Sequence, residues 1–299
     1  MKSKNIKRDK RVEAEQYASG VFPKRVEVEL ASACNLKCVY CPRKHAGRLD
    51  GFMELGLFKK IIDEISEYPD TILVLHRRGE SLLHPEFIEA CGYVKGKFTT
   101  VQLATNASLL DDDKSKAIID ALDFISFSID IPQVFNKTRI PAKYDDIERK
   151  IARFLELNNG KIETQVSMVK TSDTPQENGE LFKKIWKNRV DRVRIYEEHS
   201  RDGKFGSLDR NRGKRVPCTM PFYEMLIYCD GKVGRCNHDW QSGPMGDVCR
   251  DSIRDIWHSD KYRDLRNQHR TLMIDDRVCS GCDSWYPIVG QQDTGELLK

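Results

Sequence analysis

The segment Cys34-Asn35-Leu36-Lys37-Cys38-Val39-Tyr40-Cys41 places three cysteines at the spacing CxxxCxxC. It comes directly after residues 26–30, where apolar and charged side chains alternate as in a β-strand. Three thiolates at this spacing can bind three irons of a [4Fe–4S] cluster, and the adjoining sequence offers no fourth cysteine. The fourth iron would therefore stay open to another molecule. Structural zinc is the alternative interpretation, because CxxC also suits that metal.

This segment resembles the signature of the radical SAM enzymes, and the aromatic Tyr40 before the third cysteine adds to the match. The resemblance implies that Cys34, Cys38 and Cys41 hold a [4Fe–4S] cluster whose open iron binds S-adenosylmethionine, with Tyr40 among the cofactor-binding residues. It also implies cleavage of the cofactor to a 5′-deoxyadenosyl radical, which abstracts a hydrogen atom from an unactivated carbon. A flavodoxin or ferredoxin-type protein is the implied electron donor.

The composition is that of a folded protein. With 299 residues, 39% of them hydrophobic, the chain can bury a large core and build one large and one smaller domain. A net charge of +4 gives no field that marks a nucleic-acid binder. No apolar run approaches membrane-span length, so we expect a cytoplasmic protein with no nucleic-acid and no membrane partner. In that compartment, the ten cysteines are better explained as metal ligands than as disulfides.

Strand-like and helix-like segments alternate between residues 22 and 200, and this alternation predicts a parallel sheet with right-handed crossovers. Six such units cannot close an eight-stranded barrel. The predicted fold class is therefore α/β, with a partial (β/α)6 TIM-like barrel, and the radical SAM resemblance implies the same fold for about residues 22–200. The predicted strands are 26–30, 71–75, 99–104, 124–129, 162–169 and 193–196.

The segment His76-Arg77-Arg78-Gly79-Glu80-Ser81 follows the second predicted strand. It resembles the Gly-Gly-Glu-Pro segment of the family, which contacts the amino group of S-adenosylmethionine. Glycine lets a backbone carbonyl approach a ligand, and a carboxylate can accept hydrogen bonds from an ammonium group. Arg78 replaces the first glycine and Ser81 replaces the proline, whereas Gly79 and Glu80 match the pattern. A plain polar turn is the alternative interpretation.

Polar residues follow two further strands, at the edge where barrels of this kind place their reacting groups. Asn106 follows the third predicted strand, and Ser128 and Asp130 lie at the end of the fourth. The resemblance implies that these three side chains meet the ribose and carboxylate groups of S-adenosylmethionine.

The chain is predicted to divide at composition changes. Residues 1–21 are expected to be a lead-in helix or arm. Residues 201–216 are rich in Gly and Arg without periodicity, which indicates a linker or a substrate-covering loop. Residues 217–299 are predicted to form a small α+β cluster domain.

This last unit carries the second cysteine pattern. A hairpin with Asp230-Gly231 at its turn is predicted to bring Cys218 near Cys236. The pair Cys279 and Cys282 follows much later, and four thiols from two distant pairs suit either zinc or an auxiliary [4Fe–4S] cluster. The spacing resembles the short, one-cluster (twitch) form of the SPASM domains that follow radical SAM barrels. The resemblance thus implies two [4Fe–4S] clusters together with S-adenosylmethionine.

Three cysteines remain outside these two sets. Cys91 is predicted to be a buried core residue, and Cys229 to pack at the end of a hairpin strand. Cys249 lies in a polar turn. A thiol there could donate a hydrogen atom to a substrate radical from the face opposite the abstraction, because an S–H bond is weaker than the C–H bond formed. We therefore predict Cys249 to be the hydrogen donor of an epimerase.

The cluster layout and Cys249 resemble the aminoglycoside-tailoring branch of the family, which implies an aminosugar substrate and a redox-neutral epimerase. The ammonium groups of such a substrate need carboxylates. The candidate substrate-binding residues are Glu197, Glu198, His199, Asp239 and Asp247.

Two enzymatic alternatives remain open at the level of sequence. One is an alcohol dehydrogenase of an aminocyclitol, in which the auxiliary cluster would receive the electron of the substrate radical. The other is a peptide-modifying enzyme that epimerises or crosslinks residues, although residues 1–21 are short for a leader-binding domain. A structural zinc protein without catalytic activity is the non-enzymatic alternative.

Overall fold

The computed structural model describes residues 20–45, 50–171, 177–198, 215–239, 243–282 and 296–297. The lead-in arm and most of the expected linker, residues 1–19 and 201–214, lie outside the described residues. In the described part, the strands are β1 (Arg25–Val28), β2 (Lys37–Cys38), β3 (Ile72–Val74), β4 (Val101–Thr105), β5 (Phe124–Ser128), β6 (Arg139–Ile140), β7 (Glu163–Lys170), β8 (Arg192–Glu197), β9 (Glu224–Ile227), β10 (Lys232–Gly234), β11 (Gly246–Asp247) and β12 (Glu296–Leu297).

Ten of these strands form one sheet, in the order β11-β10-β9-β1-β3-β4-β5-β7-β8-β12. The central run from β1 to β8 is parallel throughout, as right-handed crossovers through helices require. The predicted α/β class and its six-stranded partial barrel are confirmed. The remaining two strands, β2 and β6, pair with each other beside the cysteine segment.

The helices of the described residues lie between the strands and in the C-terminal region. Two ends show why they form where they do: Asp111 caps one helix by accepting from the Lys114 N–H at 2.8 Å, and Asn159 ends another in the left-handed conformation at φ +43°. The helices are α1 (Leu55–Ser66), α2 (Phe87–Val94), α3 (Asp112–Ala121), α4 (Pro132–Thr138), α5 (Tyr144–Asn158), α6 (Glu177–Trp186), α7 (Met220–Tyr223), α8 (Ile253–Trp257), α9 (Asp260–Thr271) and α10 (Arg277–Gly281).

The two faces of the barrel sheet differ in polarity. Apolar side chains of the strands, such as Val26 and Leu73, pack with helix residues such as Ile61 into the hydrophobic core. Alternate residues of the same strands, among them Glu27 and Gln102, point to the other side and line a cavity. The barrel therefore has an apolar layer between its strands and helices and a polar interior.

The C-terminal region continues the barrel sheet. Strand β9 pairs in parallel with β1, from Arg25 opposite Glu224 to Val28 opposite Ile227, and β10 returns antiparallel to β9. An open barrel would otherwise expose unpaired backbone groups along β1, and β9 satisfies them. The hairpin that leads to Cys236 is thus fixed to the barrel wall. No helix of the described residues is long and apolar enough to cross a membrane.

Candidate active site

The three cysteines of the first pattern line one cavity of about 830 Å³ at the carboxyl ends of the barrel strands. The pairing of β2 with β6 fixes the segment, because Cys38 lies opposite Arg139. The Cys41 N–H donates to the Cys38 carbonyl at 3.0 Å and closes the turn between them. Burial raises the pKa of the Cys34 thiol, and it raises that of Cys38 to about 11.

Gly79 occupies a position that only glycine fits. A Cβ atom there would lie 2.2 Å from the carbonyl oxygens of both Ala31 and Ala33, which precede the first cysteine. The Glu80 N–H donates to the Ala33 carbonyl at 2.8 Å, so the two segments are joined through their backbones. The predicted motif is therefore a packed element against the cluster segment rather than a loose polar turn.

The Glu80 carboxylate is buried and accepts several hydrogen bonds. Thr105 Oγ1 and the Asn106 N–H donate to it at 2.8 Å each, and the Leu82 N–H donates at 3.2 Å. Burial raises the pKa of this carboxyl group above its ordinary value. Glu80 lines the cavity and also ties the end of β4 to the glycine segment.

The other predicted cofactor residues take two different positions. Asn106 and Ser128 line the cavity, and Asn106 Nδ2 lies 3.1 Å from Asn35 Oδ1 within the cysteine segment. Asp130 is not among the residues that line the cavity. Its carboxylate accepts from Arg139 Nε and from the Tyr40 hydroxyl, each at 3.0 Å, so its observed contacts are with protein groups.

Arg139 is a cavity residue that sequence reasoning missed. It is 5% exposed, pairs with Asp130 and lies on the cavity wall next to Cys38. No local motif marks it, since its carboxylate partner belongs to the end of a different strand. Its counter-charge is already supplied by Asp130, so its role toward a ligand would be that of a hydrogen-bond donor.

A network of charged groups lines the side of the cavity formed by β1 and β9. Arg25 pairs with Glu27 at 3.1 Å and with Glu224 at 3.5 Å, and Arg77 Nη1 lies 3.7 Å from Glu27. Burial, followed by repulsion from Glu27, raises the pKa of Glu224 well above its ordinary value. Atom Oε1 of Glu224 has no hydrogen-bond partner within the described part of the chain. The Glu224 residue lines the cavity, with this oxygen atom buried in the wall.

His76 follows β3 and lines the same cavity. Its Nδ1 atom accepts from the Ala104 N–H at 3.0 Å, which fixes the ring. Burial lowers the pKa of His76 to about 4, so the ring is neutral at physiological pH and its Nε2 carries the hydrogen.

The acidic residues predicted for substrate binding do not gather at one place. Glu198 lines the cavity. Asp239 is buried with its carboxylate 3.9 Å from Arg235, and Asp247 pairs with Lys232 on the hairpin. Neither of these two is among the residues that line the cavity, and their role in substrate binding stays a prediction. His199 and the side chain of Glu197 lie outside the described residues.

The second set of cysteines, Cys218, Cys236, Cys279 and Cys282, lines one small space. Two arginines connect its parts. Arg235 Nη1 lies 2.6 Å from Asp276 Oδ1, which accepts from the Cys279 N–H at 2.9 Å, and Arg215 Nη2 donates to the Cys279 carbonyl at 2.5 Å. Burial raises the pKa of the Cys218 and Cys279 thiols to about 12, and the nearby arginines oppose this shift in part.

His269 supports the presence of a group in this space. Its Nδ1 accepts from the Cys218 N–H at 3.4 Å, while its buried Nε2 has no partner in the described residues and borders the same space. Burial lowers the pKa of His269 to about 4, so the neutral ring presents an N–H there. Such a donor suits the sulfide or thiolate of a cluster. In the described chain, no three Cys, His, Asp or Glu side chains are arranged to hold a single metal ion.

The two cysteine-lined spaces adjoin each other. Met220 and His238 border both of them. Met220 begins the short helix α7, and His238 follows Cys236 by two residues. A group bound in the barrel cavity and a cluster bound by the second set would thus be separated by a thin wall.

The three other cysteines are placed differently from one another. Cys91 is fully buried in the core, as predicted. Cys229 Sγ lies 3.5 Å from Ser32 Oγ. Cys249 is exposed, with Sγ 3.9 Å from the Asp230 carbonyl, and it is not among the residues that line the cavity. Its role as a hydrogen donor stays a prediction, and this position does not bring it to the reacting end of the barrel.

Comparison with known families fits this geometry. The sequence profile of the radical SAM superfamily matches residues 28–185, which is more than half of the chain. The chain belongs to the radical SAM superfamily. The profile of the SPASM family, an iron–sulfur cluster-binding domain, matches residues 218–283. Membership implies S-adenosylmethionine and [4Fe–4S] clusters, which confirms the predicted cofactors and fits the two cysteine sets.

Solved structures share the fold. BtrN in complex with AdoMet and 2-DOIA is 19% identical, with a TM-score of 0.62 over 88% of this chain and 93% of that chain. SuiB from Streptococcus suis bound to precursor peptide SuiA is 12% identical, with a TM-score of 0.71 over 96% and 78%. At these identities the similarity concerns the fold.

One curated relative is closer in sequence over a shorter stretch. The tungsten-containing aldehyde ferredoxin oxidoreductase cofactor-modifying protein of Pyrococcus furiosus is 31% identical over 110 residues. That match covers 36% of this chain and 31% of the relative, so the chain spans less than a third of the length of this relative.

Proposed function

We propose that this radical SAM enzyme oxidises an alcohol carbon of a small molecule of the aminosugar or aminocyclitol class. The iron–sulfur clusters would supply the redox chemistry: the one at Cys34, Cys38 and Cys41 donates an electron to S-adenosylmethionine, and the auxiliary one accepts an electron from the substrate. In balance, a C–H hydrogen atom leaves to form 5′-deoxyadenosine. The hydroxyl proton and one electron then leave, and a carbonyl group remains.

The polarity of the cavity supports a hydroxyl- and amino-bearing substrate. Ser126, Ser167 and Gln165 line its interior and can exchange hydrogen bonds with hydroxyl groups. Glu224 and Glu198 line the cavity and place carboxyl groups beside a substrate that carries an ammonium group. A volume of about 830 Å³ accommodates such a molecule beside the cofactor.

The observation that favours oxidation is the contact between the two cysteine-lined spaces through Met220 and His238. This proximity gives an electron a short path out of the barrel. Glu224 lies on the cavity wall and is the carboxylate that we propose to receive the hydroxyl proton.

Epimerisation is the second candidate, and Cys249 is the observation in its favour. Its thiol is exposed and belongs to neither of the two cysteine sets, so it can exchange its hydrogen with solvent. The redox-neutral route would require this thiol to reach a substrate radical that the cavity holds. Peptide modification, the other predicted alternative, rests on the similarity to SuiB, which is a similarity of fold.

The experiment is an anaerobic assay of the reconstituted enzyme with aminosugars and aminocyclitols, each deuterated at one carbinol carbon. The proposal predicts deuterium in 5′-deoxyadenosine and a carbonyl product that has lost this deuterium and the hydroxyl hydrogen of the labelled substrate. A peptide substrate that alone stimulates cofactor cleavage, with no response to any sugar, would overturn the proposed substrate class.

An acidic electron-donor protein is the proposed partner. Residues 32–49 and 131–143 contain no Asp or Glu, and β2 and β6 bring the two segments together at Cys38. Val39 and Ile140 are about half exposed on this surface, at 54% and 45%. Lys37 pairs with Ile140 across the two strands, and Lys137 and Lys143 are each three residues from Ile140 in the sequence; all three lysines are exposed. A basic surface with an apolar centre beside the cluster segment suits a flavodoxin or ferredoxin-type donor.

A further inference from the structure

Arg78 stands where the related motif has a glycine, and its side chain is buried at 6% exposure. A buried guanidinium is costly unless it is hydrogen bonded. Its Nη2 atom donates to the Tyr228 hydroxyl and to the Asp239 carbonyl, both at 2.6 Å. The guanidinium carbon also lies 4.4 Å from the centre of the Tyr228 ring. Both partners belong to the C-terminal region, about 150 residues further along the chain.

Arg77 reaches the same region by a different route. Its Nη2 donates to the Asn237 carbonyl at 2.5 Å, and its Nη1 faces Glu27 on β1. Two consecutive arginines of the glycine segment therefore bind two backbone carbonyls of one turn, residues 237–239. Backbone carbonyls as acceptors fix the path of that turn rather than the orientation of one side chain.

Glu29, on the barrel side, also connects the glycine segment to the C-terminal region. Its carboxylate accepts from the Arg78 N–H at 3.3 Å and from the Cys229 N–H at 3.2 Å. The side chain is fully buried, and burial raises its pKa. One carboxylate thus holds the backbone of the glycine segment next to the end of the hairpin strand β9.

The bound turn begins at a cysteine of the auxiliary set. The Asp239 N–H donates to the Cys236 carbonyl at 3.3 Å, so the turn that the arginines hold starts at Cys236. From the residue before it, Arg235 reaches Asp276 and through it the Cys279 N–H. A displacement of the turn would therefore move Cys236 directly and Cys279 through Arg235.

We propose that Arg77 and Arg78 are positioning residues that fix the auxiliary cluster at Cys236 relative to the cofactor segment Gly79-Glu80. The two arginines would set how far the auxiliary cluster lies from the barrel cavity, and so the efficiency of electron transfer between them. Transfer of an electron from the substrate to the auxiliary cluster rests on the proposed oxidation. The positioning of Cys236 by the two arginines does not depend on it.

The test uses Arg78→Gln in the full-length, reconstituted protein and measures the auxiliary cluster without substrate. In a background with Cys34, Cys38 and Cys41 all replaced by Ala, electron paramagnetic resonance reports the auxiliary cluster alone. We expect Arg78→Gln to shift its g-values and its midpoint potential, or to lower its iron content. With the barrel cysteines intact, S-adenosylmethionine should still perturb the barrel cluster spectrum as in the parent.

Two further variants keep the result interpretable. Tyr228→Phe removes one acceptor of Arg78 and keeps the ring, so it should give a smaller shift in the same direction. Arg153→Gln replaces an exposed arginine paired with Asp112 and should leave the auxiliary spectrum unchanged. Auxiliary g-values, potential and iron content identical to the parent in Arg78→Gln would overturn the proposal. That outcome would leave the proposed oxidation standing, because no substrate enters the measurement.

Discussion

The guanidinium of Arg139 and the carboxylate of Asp130 form a buried ion pair, with Nε 3.0 Å from Oδ2. The Tyr40 hydroxyl donates to the same oxygen atom at 3.0 Å. The aromatic residue of the cysteine motif is thus held by the end of β5, and Arg139 is held against the cavity. This relationship gives Asp130 a role in shaping the cofactor site from behind it.

Asp130→Asn should destabilise the protein strongly, because it leaves the buried Arg139 charge without its partner. The expected loss in the free energy of unfolding is about 3–5 kcal/mol. Tyr40→Phe removes one hydrogen bond and should cost about 1 kcal/mol. Thermal unfolding of the apoproteins ranks the two variants, and equal midpoints would contradict the ion-pair assignment.

Gly79→Ala should abolish S-adenosylmethionine cleavage, because the added Cβ would lie 2.2 Å from two backbone carbonyls of the cluster segment. Gly92 offers a matched control, since a Cβ at that helix position meets nothing within 4 Å. Gly92→Ala should keep full activity and gain about 0.5–1 kcal/mol of stability. Release of 5′-deoxyadenosine measures the activity of both variants. Cleavage at the parent rate by Gly79→Ala would show that close packing of residue 79 against the cluster segment is not needed for activity.

Replacing Cys34, Cys38 or Cys41 by Ala should abolish 5′-deoxyadenosine formation, since each cysteine supplies a thiolate to the same cluster. Glu80→Gln should act more gently than loss of a thiolate. Thr105 donates to Oε1 and the Asn106 N–H to Oε2, and the amide keeps an oxygen acceptor at one of these two positions only. The variant should retain the cluster, measured by iron content, but bind the cofactor more weakly. Any single Cys→Ala variant that cleaves at the parent rate would remove that residue from the ligand set.

The His76 ring should remain neutral when an ordinary histidine is protonated, because burial lowers its pKa to about 4. Between pH 6.5, the ordinary pKa of histidine, and pH 4, the unfolded chain would bind a proton that the folded chain does not. Stability should therefore fall as the pH falls through this interval. Carbon-13 NMR of labelled histidine follows the ring, and His76→Asn identifies its signal. Protonation of His76 near pH 6.5 would contradict the lowered pKa of the buried ring.

Lys137→Glu should slow reduction of the barrel cluster by an acidic flavodoxin roughly tenfold at low salt, because it reverses a charge on the proposed docking surface. Reduction by dithionite should be unaffected, since a small ion needs no docked complex. Lys187→Glu, on the exposed end of α6, is the matched control and should match the parent. Equal rates of cluster reduction by flavodoxin in both variants would contradict docking at this surface.

The sequence predicted the features that depend on neighbouring residues. The spacing of the cysteines, the alternation of strands and helices, and the Gly79-Glu80 pair all follow from local patterns. The pairing of β9 with β1 and the contacts of Arg77 and Arg78 join residues about 150 to 200 positions apart. No local pattern encodes such contacts, so the arginines were noted only as departures from a motif.

The acidic residues in the sequence were a poor guide to which carboxylates line the cavity. Asp130, Asp239 and Asp247 looked available for a ligand because sequence does not show which basic side chain lies opposite. The structure pairs them with Arg139, Arg235 and Lys232. Conversely, Glu224 lies within a predicted hairpin strand, and its position on the cavity wall depends on the unforeseen parallel pairing with β1.

The most direct test of the proposed oxidation is product analysis by mass spectrometry after turnover in deuterated water, with the parent enzyme and Cys249→Ser side by side. We predict a carbonyl product two hydrogens lighter than the substrate, with no solvent deuterium on carbon. Cys249→Ser should give the same product at near-parent rate, because oxidation requires no hydrogen donor. A product of unchanged oxidation state carrying one deuterium at an inverted carbon, lost in Cys249→Ser, would contradict this and establish the epimerase.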